Sequence, residues 1–485
     1  MSDPAPKLCW RHVLCVYPFR EELGPRGRFY PPLGLEIIAA VIGRYARCVD
    51  VIDLRHETGT TAQFIRPATD LVCFSINWDC ERETVRDEIN SVPHGVLTVL
   101  GGRAATNDPE WWLRECPGVD ILVRGDGEEA VREIGEGVPL EAIDGISWRS
   151  GGRVVHNDVR SPGPVTDDFR PDRRLRRYEY VLDAPELQTG LTFDTIVSSL
   201  GCPHNCAFCA LDRSPWGVKR GWSGRSPESV VDELESMSAR VVAFVDLNFT
   251  HDLDRVGRIC DLLIDKRVHK KYFAETRVEI ARSPETVRKM AAAGFAALAL
   301  GVESATDRTL KSMRKGFDTA RLREYFKVLR RSGILLHGHF IIGAIGEDEA
   351  EMLAIARFAK ELGLDTITAN LLTYYPYTGL DELLEANPEY HVAPDKRIYS
   401  DAYSPERLRG IRDEILHTFY STRQVARVVR KLMKQRLLTL RVLRCLPRLL
   451  VSAVRGRFNP ERGRDPESYS GEGREVQTAP GRAAG

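Results

Sequence analysis

Between His12 and about Gly135, short apolar runs alternate with stretches of helical spacing. Val13-Leu14-Cys15-Val16, Val49 to Leu54, Leu71 to Ile76, Val96 to Leu100 and Asp120 to Val123 read as buried strands. Leu33 to Arg44, Glu81 to Ile89 and Pro109 to Glu115 read as helices between them. Nearly continuous apolar strands alternating with helices predict an α/β fold with a parallel sheet covered on both faces. Such sheets bind ligands beyond the carboxyl ends of their strands. The alternation resumes after Thr192 with strand-like runs at Phe193 to Leu200, Val241 to Asp246, Tyr272 to Arg277, Ala297 to Ser304, Leu335 to Gly343 and Thr366 to Thr373. Between the two blocks, Ser150-Gly151-Gly152 marks a hairpin. A Pro/Arg/Asp-rich stretch, Ser161 to Arg177, reads as a linker. The expected boundaries are 8–140, a connector at 141–190, a second domain at 191–385, a basic helical region at 386–458 and a disordered tail at 459–485.

At 485 residues the chain is long enough for two or three domains. Its formal charge is zero, so a nucleic-acid footprint is absent and no nucleic-acid partner is expected. There are 11 cysteines, an odd number, and eight of them are scattered, several inside apolar strands where they act as small core residues. No disulfide framework is implied. Met1 to Lys7 lacks the apolar core of a signal peptide, and no apolar run is long enough to cross a bilayer. A cytoplasmic location is expected.

The other three cysteines lie together in Gly201-Cys202-Pro203-His204-Asn205-Cys206-Ala207-Phe208-Cys209, directly after a strand-like run. Three thiolates on one loop can hold three irons of a 4Fe-4S cluster and leave the fourth open. A zinc site is the bland alternative, but zinc wants four ligands, no second cysteine pair appears, and His204 is poorly placed as the fourth. A chance group of buried cysteines is the other. The C-x3-C-x2-C triplet resembles the motif of the radical SAM enzymes. In that family the free iron binds S-adenosylmethionine (SAM) and cleaves it to a 5′-deoxyadenosyl radical. Pro31-Pro32-Leu33-Gly34-Leu35, Val51 to Leu54, Gly101-Gly102 and Arg124-Gly125-Asp126-Gly127-Glu128 resemble the N-terminal domain of the cobalamin-binding branch of that family. That likeness covers about residues 12 to 135.

The resemblance implies a Rossmann-like cobalamin-binding domain, a partial (β/α)6 barrel and three cofactors: a 4Fe-4S cluster, SAM and cobalamin. It implies cluster ligation by Cys202, Cys206 and Cys209. It implies SAM contacts from Phe208, Asp246, Arg277, Glu303, Ile341 and Gly343. Cobalamin contacts are expected from Tyr17, Pro32, Leu33, Gly34, Ser75, Asn77, Gly101, Gly102, Gly125, Gly127 and Glu128. The first strand ends in Tyr17-Pro18-Phe19, without the Asp-x-His-x-x-Gly that supplies a cobalt ligand elsewhere; His56 is a near miss after the second strand. Ile345 stands where relatives often have proline, and Tyr377 where they have glycine. The expected reaction is C-methylation through methylcobalamin and the radical, with a flavodoxin- or ferredoxin-type electron donor. An oxidative cyclase, a radical rearrangement, or a cobalamin- or redox-sensing module without turnover are the alternatives.

Catalytic candidates are Tyr375, in Tyr374-Tyr375-Pro376-Tyr377, and His339; packing is the alternative for the tyrosines, and a satisfied core position for His337 and His339. Arg423 to Arg457 holds 11 Lys/Arg and no Asp/Glu, with Val425, Val428, Leu432, Leu443 and Leu450 on the opposite face. This reads either as peripheral contact with a membrane that delivers a polycyclic lipid, such as a hopanoid, or a porphyrin, or as a solvated helix packed on the barrel. A soluble peptide or antibiotic precursor as substrate goes with the second reading.

Overall fold

The computed structural model describes residues 9–20, 28–184, 187–210, 218–438 and 441. The expected disordered tail, Cys445 and most of the basic stretch beyond Leu438 lie outside them. The N-terminal sheet contains β1 (His12–Tyr17), β2 (Val49–Asp53), β3 (Thr69–Ser75), β4 (Leu97–Gly101), β5 (Ile121–Val123), β6 (Ile146–Ser150) and β7 (Arg153–His156). Its order is β2-β1-β3-β4-β5-β6-β7, with the first five parallel. Val13, Leu14, Val72, Leu100 and Leu122 are fully buried, as expected for strands covered on both faces. Cys15 and Cys73 lie among them as core residues. The hairpin read as part of the connector instead extends this sheet, because β6 pairs antiparallel with β5.

The second sheet runs from β8 (Val181–Ala184) through β9 (Leu187–Ile196), β12 (Val241–Phe244), β13 (Lys271–Thr276), β14 (Phe295–Glu303) and β15 (Leu335–Ile342) to β16 (Thr366–Leu371). Strands β9 and β12 to β16 pair in parallel and in chain order, which makes a half-barrel. Between β9 and β12, β10 (Ser199–Leu200) and β11 (Ser223–Gly224) form a small antiparallel ribbon. After the barrel comes a second ribbon, β17 (Tyr390–Val392) with β18 (Ile398–Ser400), in a region expected to be helical. Helices Pro405–Phe419 and Thr422–Lys434 follow.

The helix Thr422–Lys434 is a plug as well as a basic surface. Leu432 and Leu437 pack with Phe193, Val241 and Ala296 inside the barrel's amino end. Gln424 donates to the carbonyls of Leu364 and Asp365 at 2.7 Å, and Lys431 reaches Asp365 at 2.6 Å. Arg423, Arg430, Lys434 and Arg436 remain exposed on the outer side.

A chain of buried charges joins the domains. Arg176, in the linker, grips Glu36 of the helix Leu33–Ile42 with two bonds of 2.6 Å and Asp194 of β9 at 2.7 and 2.9 Å. Arg173 bonds Asp194 at 2.7 Å and Glu233 at 2.6 Å, and Arg225 closes on Glu233. Burial opposes ionisation of Asp194, but Arg176 and Arg173 outweigh it and hold the carboxyl below its usual range.

Candidate active site

The carboxyl ends of both sheets open on one cavity of about 1010 Å³, at the top of the range for ligand sites. From the N-terminal domain, Gly34, Ser75, Asn77, Gly101, Gly102, Gly125, Gly127 and Glu128 line it. Gly102 has φ +102°, and a Cβ there would lie 2.5 Å from the Ile76 carbonyl oxygen, so the turn after β4 requires glycine. Gly34 and Gly125 have nothing within 4 Å of an added Cβ, which leaves their backbone open to a bulky ligand. From the second domain come Ser199, Leu200 and Gly201, then Val245, Leu247, Tyr375 and Tyr377. The linker residues Ser161 to Thr166 cross the junction and also form a further wall.

Three expected contacts lie elsewhere. Tyr17 is buried under Arg55 with its ring 5.0 Å from Phe19, and Pro32 and Leu33 are core residues of the helix start. Gly34, Leu35 and Ile38 of that helix reach the cavity while Pro32 and Leu33 do not, because a helix turns successive residues to different sides. His56 is also outside. Its Nε2 lies 3.1 Å from the Arg28 carbonyl, and its ring sits between Tyr178 and Tyr180. The described residues that line the cavity include no histidine.

The cysteine loop springs from the β10–β11 ribbon. Gly201 has φ +79°, and a Cβ there would lie 2.3 Å from the Gly221 carbonyl oxygen. The three thiols are partly exposed. Ala207 N–H donates to the Met313 carbonyl at 3.0 Å, and the Lys219 ammonium caps the Pro203 carbonyl at 3.2 Å. Asp246 supports this loop from beneath rather than facing the cavity. It is 1% exposed, and its carboxylate accepts from Ser198 N–H at 2.7 Å and from the Ser198 and Ser199 hydroxyls at 2.6 Å. In this arrangement Asp246 acts as a strut for the loop, through Ser198 and Ser199.

The other expected residues gather around the loop. Arg277 Nη1 is 3.5 Å from Cys206 Sγ, and its Nη2 is held by Glu279 at 2.8 Å and the Lys315 carbonyl at 2.6 Å. Glu303 ends β14 at φ +70° and pairs with Lys315 at 2.9 Å. Its carboxylate folds back over Gly301, where a Cβ would lie 2.6 Å from Oε1. The Lys315 ammonium also faces the rings of Phe208, at 5.9 Å, and Phe317, at 5.5 Å. Phe208 packs with Met313, Ile341, Ala344, Leu372 and Leu380. A set of three thiols beside buried cations suits an anionic metal–thiolate group. Lys315 went unread because a lone lysine after a helix carries no signal of burial.

His337 and His339 share the barrel's inner face, with rings 4.6 Å apart. Their Nδ1 atoms lie 2.8 and 2.9 Å from the hydroxyls of Thr366 and Thr368. Burial, then His339, pushes His337 down to about 3, so it is neutral near pH 7. Arg103, after the Gly101-Gly102 turn, donates to the Ala210 carbonyl at 3.3 Å and faces the Tyr375 ring at 5.9 Å. Arg220 pairs with Asp126 across the same junction.

Glu347 closes the Gly343-Ala344-Ile345-Gly346 segment and is 3% exposed. Burial pushes its carboxyl up to about 8, against a backbone bond from Ala344. The folded state therefore holds this proton when the unfolded chain has lost it. Stability then falls as pH rises from about 4.5 to about 8. Glu347→Gln is expected to match the parent near pH 4.5 and to exceed it at pH 8, read by urea unfolding at both pH values. A parent-like slope in the variant would contradict this.

Two family models match the chain: the B12 binding domain over residues 23–135 and the radical SAM superfamily over residues 196–359. An uncharacterized methyltransferase of Pyrococcus horikoshii is 29% identical over 391 residues, covering 77% of this chain and 83% of that one. The anaerobic magnesium-protoporphyrin IX monomethyl ester cyclase of Cereibacter sphaeroides is 26% identical over 321 residues, or 63% of this chain and 51% of the cyclase. Among solved structures, the radical S-adenosylmethionine methyltransferase TsrM of Kitasatospora setae, with cobalamin and a 4Fe-4S cluster bound, superposes with a TM-score of 0.64 at 18% identity, covering 79% of this chain and 80% of that one. That likeness speaks to the fold. With both family models in order along the chain and the glycine-lined cavity opening beside the cysteine loop, the chain belongs to the cobalamin-binding radical SAM enzymes.

Proposed function

We infer that this enzyme is a cobalamin-dependent radical SAM methyltransferase that methylates an unactivated carbon of a small molecule. One observation carries the reading: glycine loops after β4 and β5 and the strand entering the cysteine loop line the same cavity. When bound, the three cofactors supply reductive cleavage of SAM, a radical that abstracts hydrogen, and a methyl carrier. The chain's own residues bind, orient and exclude water.

In this proposal Cys202, Cys206 and Cys209 hold three irons, and Arg277 offsets their charge while pairing with the SAM carboxylate. Phe208, Ile341 and Gly343 take the adenine. Glu303, oriented by Lys315, takes a ribose hydroxyl or the ammonium. Asp246 keeps Ser198 and Ser199, and so the start of the cysteine loop, in place. Gly34, Ser75, Asn77, Gly101, Gly102, Gly125, Gly127 and Glu128 would receive the corrinoid, in a cavity whose described lining includes no histidine. Tyr375 and Tyr377 on the cavity wall, and His339 with its Nε2 turned from Thr368, are candidates for substrate and proton handling. Similarity to the cyclase favours radical cyclisation as the second reading. The exposed Arg423, Arg430, Lys434 and Arg436 support docking on anionic lipid, each adding about 1 kcal/mol of attraction.

Anaerobic turnover with SAM, reduced flavodoxin and an extract of cells lacking this gene is expected to yield S-adenosylhomocysteine beside 5′-deoxyadenosine, with a product heavier by one methylene. 5′-Deoxyadenosine alone would favour cyclisation, and neither nucleoside would refute turnover. Lys315→Met leaves Glu303 buried without its counter-charge. It is expected to weaken SAM binding about tenfold, the loss of one charge-assisted bond of roughly 1.4 kcal/mol, in equilibrium binding to reconstituted enzyme of unchanged iron content. An unaltered affinity would remove Lys315 from the site. Co-sedimentation with phosphatidylglycerol vesicles at low salt, lost when the four exposed basic residues become Gln, is the outcome expected for lipid docking. Absence of binding at low salt would leave the helix only its bracing role.

A further inference from the structure

We propose that His12, Cys48 and Asp50 form a site for a thiophilic divalent cation, best matched by Zn2+, at the end of the N-terminal sheet away from the cavity. The residues sit at the amino ends of neighbouring parallel strands. Leu14 of β1 is the register partner of Asp50 in β2, and Val13 N–H donates to the Cys48 carbonyl at 2.9 Å. One ligand atom from each of the three side chains lies within 4.8 Å of the others. Ligand atoms of a tetrahedral zinc stand about 3.3–3.7 Å apart, a spacing His12 and Asp50 already have at 3.3 Å and Cys48 can reach by a side-chain shift, with water as the fourth ligand. Nitrogen, thiolate and carboxylate donors together favour zinc over calcium or magnesium, which take oxygen.

A supporting shell is already built. His12 is 2% exposed, its Nδ1 lies 2.8 Å from the Thr69 hydroxyl, and its Nε2 points to Asp50 at 3.3 Å. The Thr69 oxygen also accepts from Arg66 N–H at 2.8 Å, so it is fixed in place. With Nδ1–H donating to that oxygen, the Nε2 lone pair is directed at the ion, as in metal sites whose second ring nitrogen is anchored. Cys48 is exposed, which gives an ion an entry path. Arg66 pairs with Asp50 and is itself 54% exposed, so it can swing to solvent when the cation arrives. Binding forms a Zn–S bond and releases the Cys48 thiol proton to solvent, with no change of oxidation state. The bound ion would tie β1 to β2 at the edge of the sheet.

The test uses the anaerobically reconstituted holoenzyme, whose cluster occupies the other three clustered cysteines. Zinc is added, loosely held metal is stripped with a weak chelator, and metals are counted alongside a thermal melt. The expected result is one zinc per chain with iron unchanged and a raised Tm. Both effects should be lost in Cys48→Ser, a surface change that leaves the fold intact, and weakened in Asp50→Asn. No retained zinc in the parent, or zinc retained equally in Cys48→Ser, overturns the site and leaves a plain His12–Asp50 pair.

Discussion

The arrangement of the active site depends on the buried ionic chain Glu36–Arg176–Asp194–Arg173–Glu233–Arg225. Each charge loses hydration, and only good geometry on several partners repays that loss. Arg176 therefore admits one mutual orientation of the helix Leu33–Ile42 and strand β9. That orientation sets the carboxyl ends of the two sheets against one cavity. Removing one member would strand a buried charge at a cost of about 3–5 kcal/mol. Smaller ties act nearer the chemistry: Arg220 on Asp126 and Arg103 on the Ala210 carbonyl. The second of these joins the turn after β4 to the residue that follows the last cluster cysteine.

Around the cysteine loop, charge rather than packing organises the walls. Arg277 and Lys315 are buried cations, and Glu279 and Glu303 are their partners. Glu303 adopts a left-handed backbone, which costs a non-glycine residue of order 1 kcal/mol. The return is a carboxylate folded over Gly301 onto Lys315 beside Phe208. Gly301 has no side chain to block this path. Strain and missing bulk at neighbouring positions thus serve one arrangement.

The basic helix Thr422–Lys434 shows how one pattern can serve two surfaces. Leu432, with Leu437 just beyond the helix, closes the amino end of the barrel, and Lys431 and Gln424 reach the loops there. The remaining basic side chains face outward. Amphipathicity states only that one face is apolar and the other charged. It does not say whether lipid or protein covers the apolar face.

Much of the fold was legible because its signals are local. Continuous apolar runs marked the eleven parallel strands, and the spacing of Cys202, Cys206 and Cys209 marked the cluster loop. Glycines after β4 and β5 pointed to a ligand because a backbone without side chains can approach a bulky group closely. The hairpin β6–β7 was recognised, but not its partner sheet, since a turn signal does not choose between neighbours. Placement of Tyr17, Pro32, Leu33, Asp246 and His56 was decided by tertiary structure alone. Pro32, Leu33 and Asp246 lie within a residue or two of the cavity lining, yet helix rotation or buried hydrogen bonds turn them away, and Tyr17 and His56 pack against other side chains. Lys315 was drawn in by the same means, through a carboxylate 12 positions away in the chain. Sequence by itself determined the elements and the chemistry each loop could carry, because these depend on neighbours along the chain. Which side chains meet, and with what charge, was decided only in the folded molecule, where burial removes water and makes distant partners obligatory.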